Sequence, residues 1–153
     1  MKSNPPRPRV LLDTSFILPS LGIEVSHEVS KGLKMLAESK AEIHYSRFSI
    51  LESLWVAARA IRNPASDFED FRLGLRSVME SGRYRQTEED SEVFNEALRL
   101  YMLGHKDMVD NILYTTSIKF DLKFLTVDSE LKEFTRQKGL TNVFTSPNEI
   151  ASS

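Results

Sequence analysis

Short apolar runs that end in polar residues alternate along this chain with longer segments of helical periodicity. Residues 10–12 form the first run, which follows Pro8 and stops at Asp13, as in a buried strand that ends at a polar turn. Similar runs occupy residues 41–45, 123–126 and 142–145. Because strands that alternate with helices form parallel sheets covered on both faces, the predicted fold class is α/β.

Apolar residues at helical spacing predict helices over residues 29–37, 46–62, 68–78, 94–104, 107–116 and 129–138. The helical middle, residues 46–104, is expected to lie largely on one side of the sheet. A turn and a very short edge strand are predicted within residues 81–87. The helix that follows is expected to begin at a capping box formed by Thr87 and Asp90. In the helix after the second strand, an apolar stripe that includes Leu51 and Trp55 is expected to face the core, with Glu52 on its flank.

The composition excludes several classes of protein. A chain of 153 residues that is 41% hydrophobic is long enough for one ordinary core, and no run approaches the ~18 apolar residues of a membrane span. With a net charge of −2, the chain lacks the excess of basic residues that a DNA-coating protein has. The absence of cysteine excludes disulfides and thiolate metal sites. Residues 1–8 are expected to be a flexible proline-rich arm before a domain over residues 9–150, in a cytoplasmic protein.

Carboxylates gather at one predicted edge of the sheet, where strands end and helices begin. They are Asp13, Glu52, Asp107, Asp110 and Asp128. Two carboxylates about 4 Å apart repel by roughly 4 kcal/mol at an effective dielectric constant near 20, so such a group takes up protons or binds a cation. Oxygen ligands without cysteine suit Mg²⁺ or Mn²⁺, which points to phosphoester chemistry. Each acid taken singly is equally explained as a helix cap, a dipole partner or a surface charge.

Four ordered motifs, spread over residues 9–145, carry a family resemblance. The first is Val-Leu-Leu-Asp-Thr-Ser at residues 10–15, and the second is the helical segment 49–54 around Glu52. The third is Asp-Met-Val-Asp-Asn-Ile at 107–112, and the fourth is Phe-Leu-Thr-Val-Asp at 124–128. In these motifs the chain resembles a PIN domain, the small nuclease domain of toxin–antitoxin ribonucleases and of RNA-processing factors. The resemblance implies a three-layer α/β/α domain with a central parallel sheet of four to five strands.

The resemblance also implies roles for individual residues. Asp13, Glu52, Asp110 and Asp128 would be the catalytic acids; Asp13, Asp110 and Asp128 would bind Mg²⁺ or Mn²⁺, with Asp107 as an extra carboxylate. The hydroxyls of Thr14, Ser15 and Thr126 would support these ligands. The implied activity is that of a metal-dependent endoribonuclease, and the implied partners are RNA, an antitoxin protein and a second copy of the chain. An RNA-processing nuclease without an antitoxin, and an RNA-binding module with an idle site, remain open alternatives.

Cations and aromatic rings are needed on the approach to such a site, because acidic ligands repel a phosphate backbone. Arg47 and Lys106 are candidates, since both are expected at the same edge as the acids. Residues 83–85, Arg83, Tyr84 and Arg85, combine charge with a ring that can stack on single-stranded RNA, although a solvated turn explains them as well. A receiver-like phosphoacceptor domain and an aspartate phosphatase are disfavoured, because Thr14 and Ser15 stand where those families need further acids.

Overall fold

A five-stranded parallel sheet is the centre of the protein, for which a computed structural model describes residues 7–151. The strands are β1 (Arg9–Leu12), β2 (Glu42–Tyr45), β3 (Arg85–Gln86), β4 (Lys123–Leu125) and β5 (Phe144–Thr145). Their order across the sheet is β3-β2-β1-β4-β5, so β1 lies in the middle between β2 and β4. The α/β class and the parallel sheet are therefore confirmed. Most of the predicted N-terminal arm, residues 1–6, falls outside the described residues.

Helices connect the strands. They are α1 (His27–Glu38), α2 (Arg47–Ala60), α3 (Pro64–Glu80), α4 (Ser91–Leu103), α5 (Met108–Lys119), α6 (Ser129–Gln137) and α7 (Pro147–Ala151). Two 3₁₀ turns, Thr14–Phe16 and Leu18–Leu21, follow β1. The short C-terminal helix and both 3₁₀ turns are absent from the sequence prediction. None of the helices within residues 7–151 is long and apolar enough to cross a membrane.

The two faces of the sheet carry separate apolar clusters, which gives the three layers. On one face Val10 and Leu12 pack with residues of α1, α2, α3 and α7, and on the other Leu11 packs with residues of α4, α5 and α6. The helical middle does not lie on one side, as the sequence suggested. Instead α2 and α3 cover the first face, while α4 crosses to the second and packs on α5.

The sequence prediction is wrong about which face of α2 is buried. The buried side chains are Ser49, Ile50, Ser53 and Ala57, which are mostly small or hydroxyl-bearing. The predicted core stripe faces outward, since Leu51, Leu54 and Trp55 are 43%, 46% and 57% exposed. Small side chains let the helix approach its neighbours closely, and the large apolar residues are left on the outside.

The start of α4 also differs from the prediction. Asp90 is the N-cap, and its carboxylate accepts a hydrogen bond from the Val93 amide at 3.1 Å. The Thr87 hydroxyl instead donates to the Tyr45 carbonyl at 3.3 Å and fastens the end of β3 to β2. The predicted capping box is therefore not formed, because the helix begins three residues further along the chain than that box requires.

Candidate active site

Asp13 lies where the central strand β1 ends. Its amide donates to the Leu125 carbonyl of β4, and its side chain caps the following 3₁₀ turn by accepting from the Thr14 amide at 2.7 Å. The other carboxylate oxygen accepts from the Thr126 hydroxyl at 2.6 Å. Burial raises the pKa of Asp13 to about 6, and the charges of Glu52 and Asp128 add to the increase, against these two hydrogen bonds. Asp13 is thus held rigidly in a site that disfavours its negative charge.

The loop after β4 brings a second carboxylate to the same edge. The Thr126 hydroxyl, which donates to Asp13, accepts a hydrogen bond from the Asp128 amide at 3.0 Å. Asp128 is the N-cap of α6, and one of its oxygens accepts from the Glu130 amide at 2.9 Å. One threonine hydroxyl therefore links the two acidic segments.

The start of α5 adds two more carboxylates. Asp107 is the N-cap and accepts from the Asp110 amide at 3.1 Å. Asp110 itself is buried in the first turn, 8% exposed. Burial raises its pKa far above the usual carboxyl range, and a hydrogen bond with Asp128 and the charges of Asp13 and Asp107 raise it further. Asp110 is therefore a buried carboxyl whose negative charge is disfavoured by burial and by the neighbouring acids.

Glu52 reaches the site from α2. It lies half-buried in the second turn of that helix, and its charge contributes to the raised pKa of Asp13. The structure thus brings together all five predicted acids, each close enough to affect the pKa of Asp13 or Asp110.

The five carboxylates offer the oxygen donors that a divalent cation needs. Within residues 7–151, no group of three or more Asp, Glu, His or Cys side chains is placed to hold an ion, so the predicted direct ligand set is not preassembled. The site instead offers buried carboxylates with unfavourable charge and oxygen donors alone. That arrangement fits Mg²⁺, which proteins commonly hold through one or two carboxylates while the ion keeps several waters.

The hydroxyls next to Asp13 support the same conclusion. The side-chain oxygens of Thr14 and Ser15 are buried and have no hydrogen-bond partner within the described part of the chain. Buried hydroxyls without a partner are rare and costly. Of the three hydroxyls named from the sequence, that of Thr126 bonds to Asp13, while those of Thr14 and Ser15 have no partner in the described part of the chain.

The predicted RNA-contacting cations are only partly brought to the site. Lys106 adjoins Asp107 in sequence, but its ammonium lies 4.3 Å from the centre of the Tyr101 ring. Arg47 is exposed at the first residue of α2, beside a groove between α2, β3 and α4. Neither has a hydrogen bond or ion pair with the five acids.

Residues 83–85 are directed elsewhere. The Arg85 guanidinium lies 3.7 Å from Glu42, the first residue of β2, and so points toward the opposite end of the strands from the acids. Arg83 covers the ring of Tyr84 at 5.4 Å, and Tyr84 packs on the core. The structure therefore does not gather Arg83, Tyr84 and Arg85 with the carboxylates.

A buried polar pair that the sequence did not reveal holds the turn before α5. The Asn111 amide nitrogen donates to the His105 carbonyl at 2.8 Å, and the Asn111 side-chain oxygen lies 2.8 Å from His105 Nδ1. The second contact requires His105 to carry a proton on Nδ1, because the Asn111 side-chain oxygen can only accept. The pair spans Lys106, Asp107 and Asp110 and fixes their backbone. Asn111 directly follows Asp110 in a helix buried on nearly all sides, and this polar residue among apolar ones was the available signal.

Comparisons with known proteins agree with this architecture. A family model described as PIN domain matches residues 10–137. Among solved structures, VapBC2 from Rickettsia felis bound to a promoter DNA fragment is similar with a TM-score of 0.59 and 10% identity, over 90% of this chain and 98% of that one. FitAB bound to the IR36 DNA fragment has a TM-score of 0.60 and 15% identity, over 90% and 94% of the chains. FitAcB from Neisseria gonorrhoeae has a TM-score of 0.56 and 13% identity, over 90% and 97%. No curated protein sequence matched.

Proposed function

The chain belongs to the PIN domain family, and we propose that it is a Mg²⁺- or Mn²⁺-dependent endoribonuclease that hydrolyses phosphodiester bonds in single-stranded or structured RNA. Proteins of this family are nucleases. The observation that carries the proposal is the group of carboxylates at the edge where β1 ends, in which burial and then the charges of the neighbouring acids raise the pKa values of Asp13 and Asp110. Carboxylates with raised pKa values are typical of sites that bind a cation or activate a water molecule, whereas a purely structural role does not require them.

Each of the site residues has a proposed role. Asp13, Asp110 and Asp128 would hold the cation, with Asp107 as a further carboxylate, and Glu52 would complete the ion shell or orient the attacking water. A bound cation of this kind polarises the scissile phosphate and lowers the pKa of a water molecule. The Thr126 hydroxyl keeps Asp13 in one orientation. Asp110 would bind a cation in its ionised form, because metal ligands must be deprotonated.

The partners of the protein are part of the proposal. The similar structures are complexes whose names pair a toxin with a second protein, VapBC and FitAB, and on that likeness we assign this chain as the toxin of a toxin–antitoxin pair. An antitoxin would cover the acidic edge, a second copy would form a homodimer, and the protein would act on RNA in the cytoplasm.

Cleavage of a fluorescently labelled single-stranded RNA tests the catalytic proposal. We expect cleavage with Mg²⁺ or Mn²⁺ and none with excess EDTA. Asp13→Asn and Asp110→Asn should each lower the rate by roughly 100-fold or more at unchanged fold, because each removes a charge at the ion without changing volume. Asp70→Asn, an exposed aspartate on α3, is the matched control and should cleave normally.

Three results would contradict the assignment. Equal cleavage in EDTA would exclude the metal-dependent mechanism. Near-normal turnover by both Asp13→Asn and Asp110→Asn would exclude the assigned acids. RNA binding without any cleavage would favour a binding module with an idle site.

A further inference from the structure

The indole of Trp55 is exposed to solvent on α2, the helix that carries Glu52 of the candidate active site. It is 57% exposed and is the only tryptophan of the chain. Trp55 makes no ring contact or cation–π contact within residues 7–151. We propose that Trp55 stacks on a base of single-stranded RNA at this site while Arg59 binds the adjacent phosphate, an inference that rests on the proposed ribonuclease function.

The placement of Trp55 on α2 connects it to the acids. Glu52, Trp55 and Arg59 stand at positions i, i+3 and i+7, so they share one face of the helix. At about 1.5 Å per residue, Trp55 lies roughly 5 Å and Arg59 roughly 10 Å beyond Glu52 along the helix axis. Glu52, the exposed Trp55 ring and the Arg59 guanidinium therefore follow one another along one face of α2. A ring next to a cation is the combination that binds single strands without sequence preference.

Four other aromatic rings that are partly exposed already have a cation or a second ring as a partner. Arg83 covers Tyr84, and the Lys106 ammonium covers Tyr101. Phe48 and Phe94 pack edge to face against each other, with 5.4 Å between ring centres. The stacking role that the sequence assigned to Tyr84 is thus better filled by Trp55, whose ring needs no rearrangement to receive a base.

A protein partner on α2 is the competing explanation, because Leu51 and Leu54 are also exposed. Leu51 is one turn before Trp55 and lies next to it, whereas Leu54 lies further around the helix. With about 100° per residue, Leu54 is about 160° around the helix from Glu52, whereas Trp55 is about 60° and Arg59 about 20° from it. The Arg59 guanidinium has no hydrogen bond or ion pair within the described residues, which leaves it available to a phosphate. An unpaired cation on one side of Trp55 and an acid of the candidate active site on the other favour a nucleic-acid strand over an apolar protein surface.

Trp55 fluorescence reports the contact directly, since no other tryptophan contributes. The Asp110→Asn variant, which should not cleave, is titrated with a 12-nucleotide single-stranded RNA and with an abasic oligonucleotide of equal length and charge. We expect quenching by the RNA and much less by the abasic strand. In the same background Trp55→Ala should weaken RNA affinity roughly 5- to 150-fold, and Trp55→Phe should restore part of it. Phe68→Ala is the matched control, because Phe68 is 58% exposed on α3.

Kinetics with Asp110 intact separate this inference from the proposed function. Trp55→Ala and Arg59→Ala should raise KM with little change in kcat, because a stacked base contributes equally to the ground state and the transition state. Normal RNA cleavage without quenching, or equal quenching by the abasic strand, would overturn the role of Trp55 and leave the nuclease standing. Quenching without cleavage would support Trp55 and overturn the nuclease. Loss of a dimer in Trp55→Ala, seen by light scattering, would assign Trp55 to a protein interface and overturn the inference.

Discussion

Three of the five site carboxylates also cap the helical turns that follow them. Asp13, Asp107 and Asp128 each accept a hydrogen bond from a backbone amide one to three residues further on. The sequence left capping and ligand roles as alternatives for these residues, but the geometry makes them compatible. Capping uses one carboxylate oxygen and fixes the side chain, so Asp107 and Asp128 keep a second oxygen, held in a defined direction at the edge of the sheet.

The Thr126 hydroxyl lowers the pKa of Asp13 against the effect of burial, and Thr126→Val removes it at nearly constant volume. We expect the Asp13 pKa to rise above its value of about 6, because its carboxylate loses a hydrogen bond that favours the charged form. The free energy of unfolding should fall by about 1–3 kcal/mol, since the buried acceptor is left unpaired. Carbon-detected NMR titration of the Asp carboxyls measures the first effect, and urea denaturation the second.

Thr126→Ser is the conservative control for this experiment, because it retains the hydroxyl. It should keep the Asp13 pKa close to that of the wild type. An unchanged Asp13 pKa in Thr126→Val would mean that the hydroxyl does not affect that carboxyl.

The acids were predictable from the sequence because their positions depend on the backbone. Asp13 directly follows β1, Asp128 follows β4, and Asp110 opens α5, and parallel strands bring these points to one edge. The directions of long side chains could not be predicted in the same way. Arg85 points to Glu42 and Lys106 to Tyr101 because of local partners that become neighbours only after folding.

At the scale of elements, α2 shows where helical periodicity misleads. Its apolar stripe was correctly recognised as a stripe, but the buried face is the one with Ser49, Ser53 and Ala57. Ser53 satisfies its hydroxyl within the helix by donating to the Ser49 carbonyl at 2.7 Å, so burying it costs little. A single-sequence pattern identifies which face is apolar, and it cannot show that a close approach to neighbouring elements favours the face with small residues.

The packing of α3 against the second 3₁₀ turn depends on Gly74. A Cβ atom at this position would lie 2.0 Å from the Ser20 carbonyl oxygen and 2.9 Å from the Leu21 Cα. Both are backbone atoms, so Gly74→Ala should force the two elements apart and destabilise the protein by about 1–3 kcal/mol. This is the net loss that remains after the ~1 kcal/mol that alanine gains over glycine within a helix.

Urea denaturation of Gly74→Ala beside Ser77→Ala checks this packing. Ser77 is exposed on the same helix and should tolerate the change. Equal midpoints for Gly74→Ala and the wild type would show that α3 and the Leu18–Leu21 turn do not meet so closely.

For the whole molecule, the near balance of charges conceals an uneven distribution. The formal net charge is only −2, yet five carboxylates lie at one edge of the sheet. The folded protein without metal therefore binds protons that the unfolded chain releases. Because the folded pKa values of Asp13 and Asp110 exceed the unfolded value of about 3.9, their contribution to stability is complete below about pH 4 and is lost as the pH rises through the folded values. For Asp13 this loss takes place between about pH 4 and pH 6.

Another buried group acts in the opposite direction in part of this range. Burial lowers the pKa of His44, against the effect of its Glu42 partner. The folded state therefore binds fewer protons at His44 than the unfolded chain does near pH 6.5, and this contribution increases stability as the pH rises. A pH profile of the wild type alone mixes the two effects, whereas the difference between the wild type and Asp110→Asn isolates the carboxylate.

Thermal unfolding of the wild type and Asp110→Asn in EDTA and in Mn²⁺, at pH 5 and pH 8, tests the charge distribution as a whole. In EDTA, the stability of Asp110→Asn relative to the wild type should increase from pH 5 to pH 8, because Asp110 of the wild type must take up a proton on folding or be buried as a charge beside Asp13 and Asp128, and the variant needs neither. At a free Mn²⁺ concentration about 100 times the dissociation constant, the wild type should gain roughly 2.7 kcal/mol, and the variant less. If Asp110 only favours the helix dipole, the variant in EDTA loses up to about 1 kcal/mol at pH 8 and keeps the full Mn²⁺ shift. That pattern would contradict a metal-binding edge, because stability would then depend on Asp110 through its helix alone.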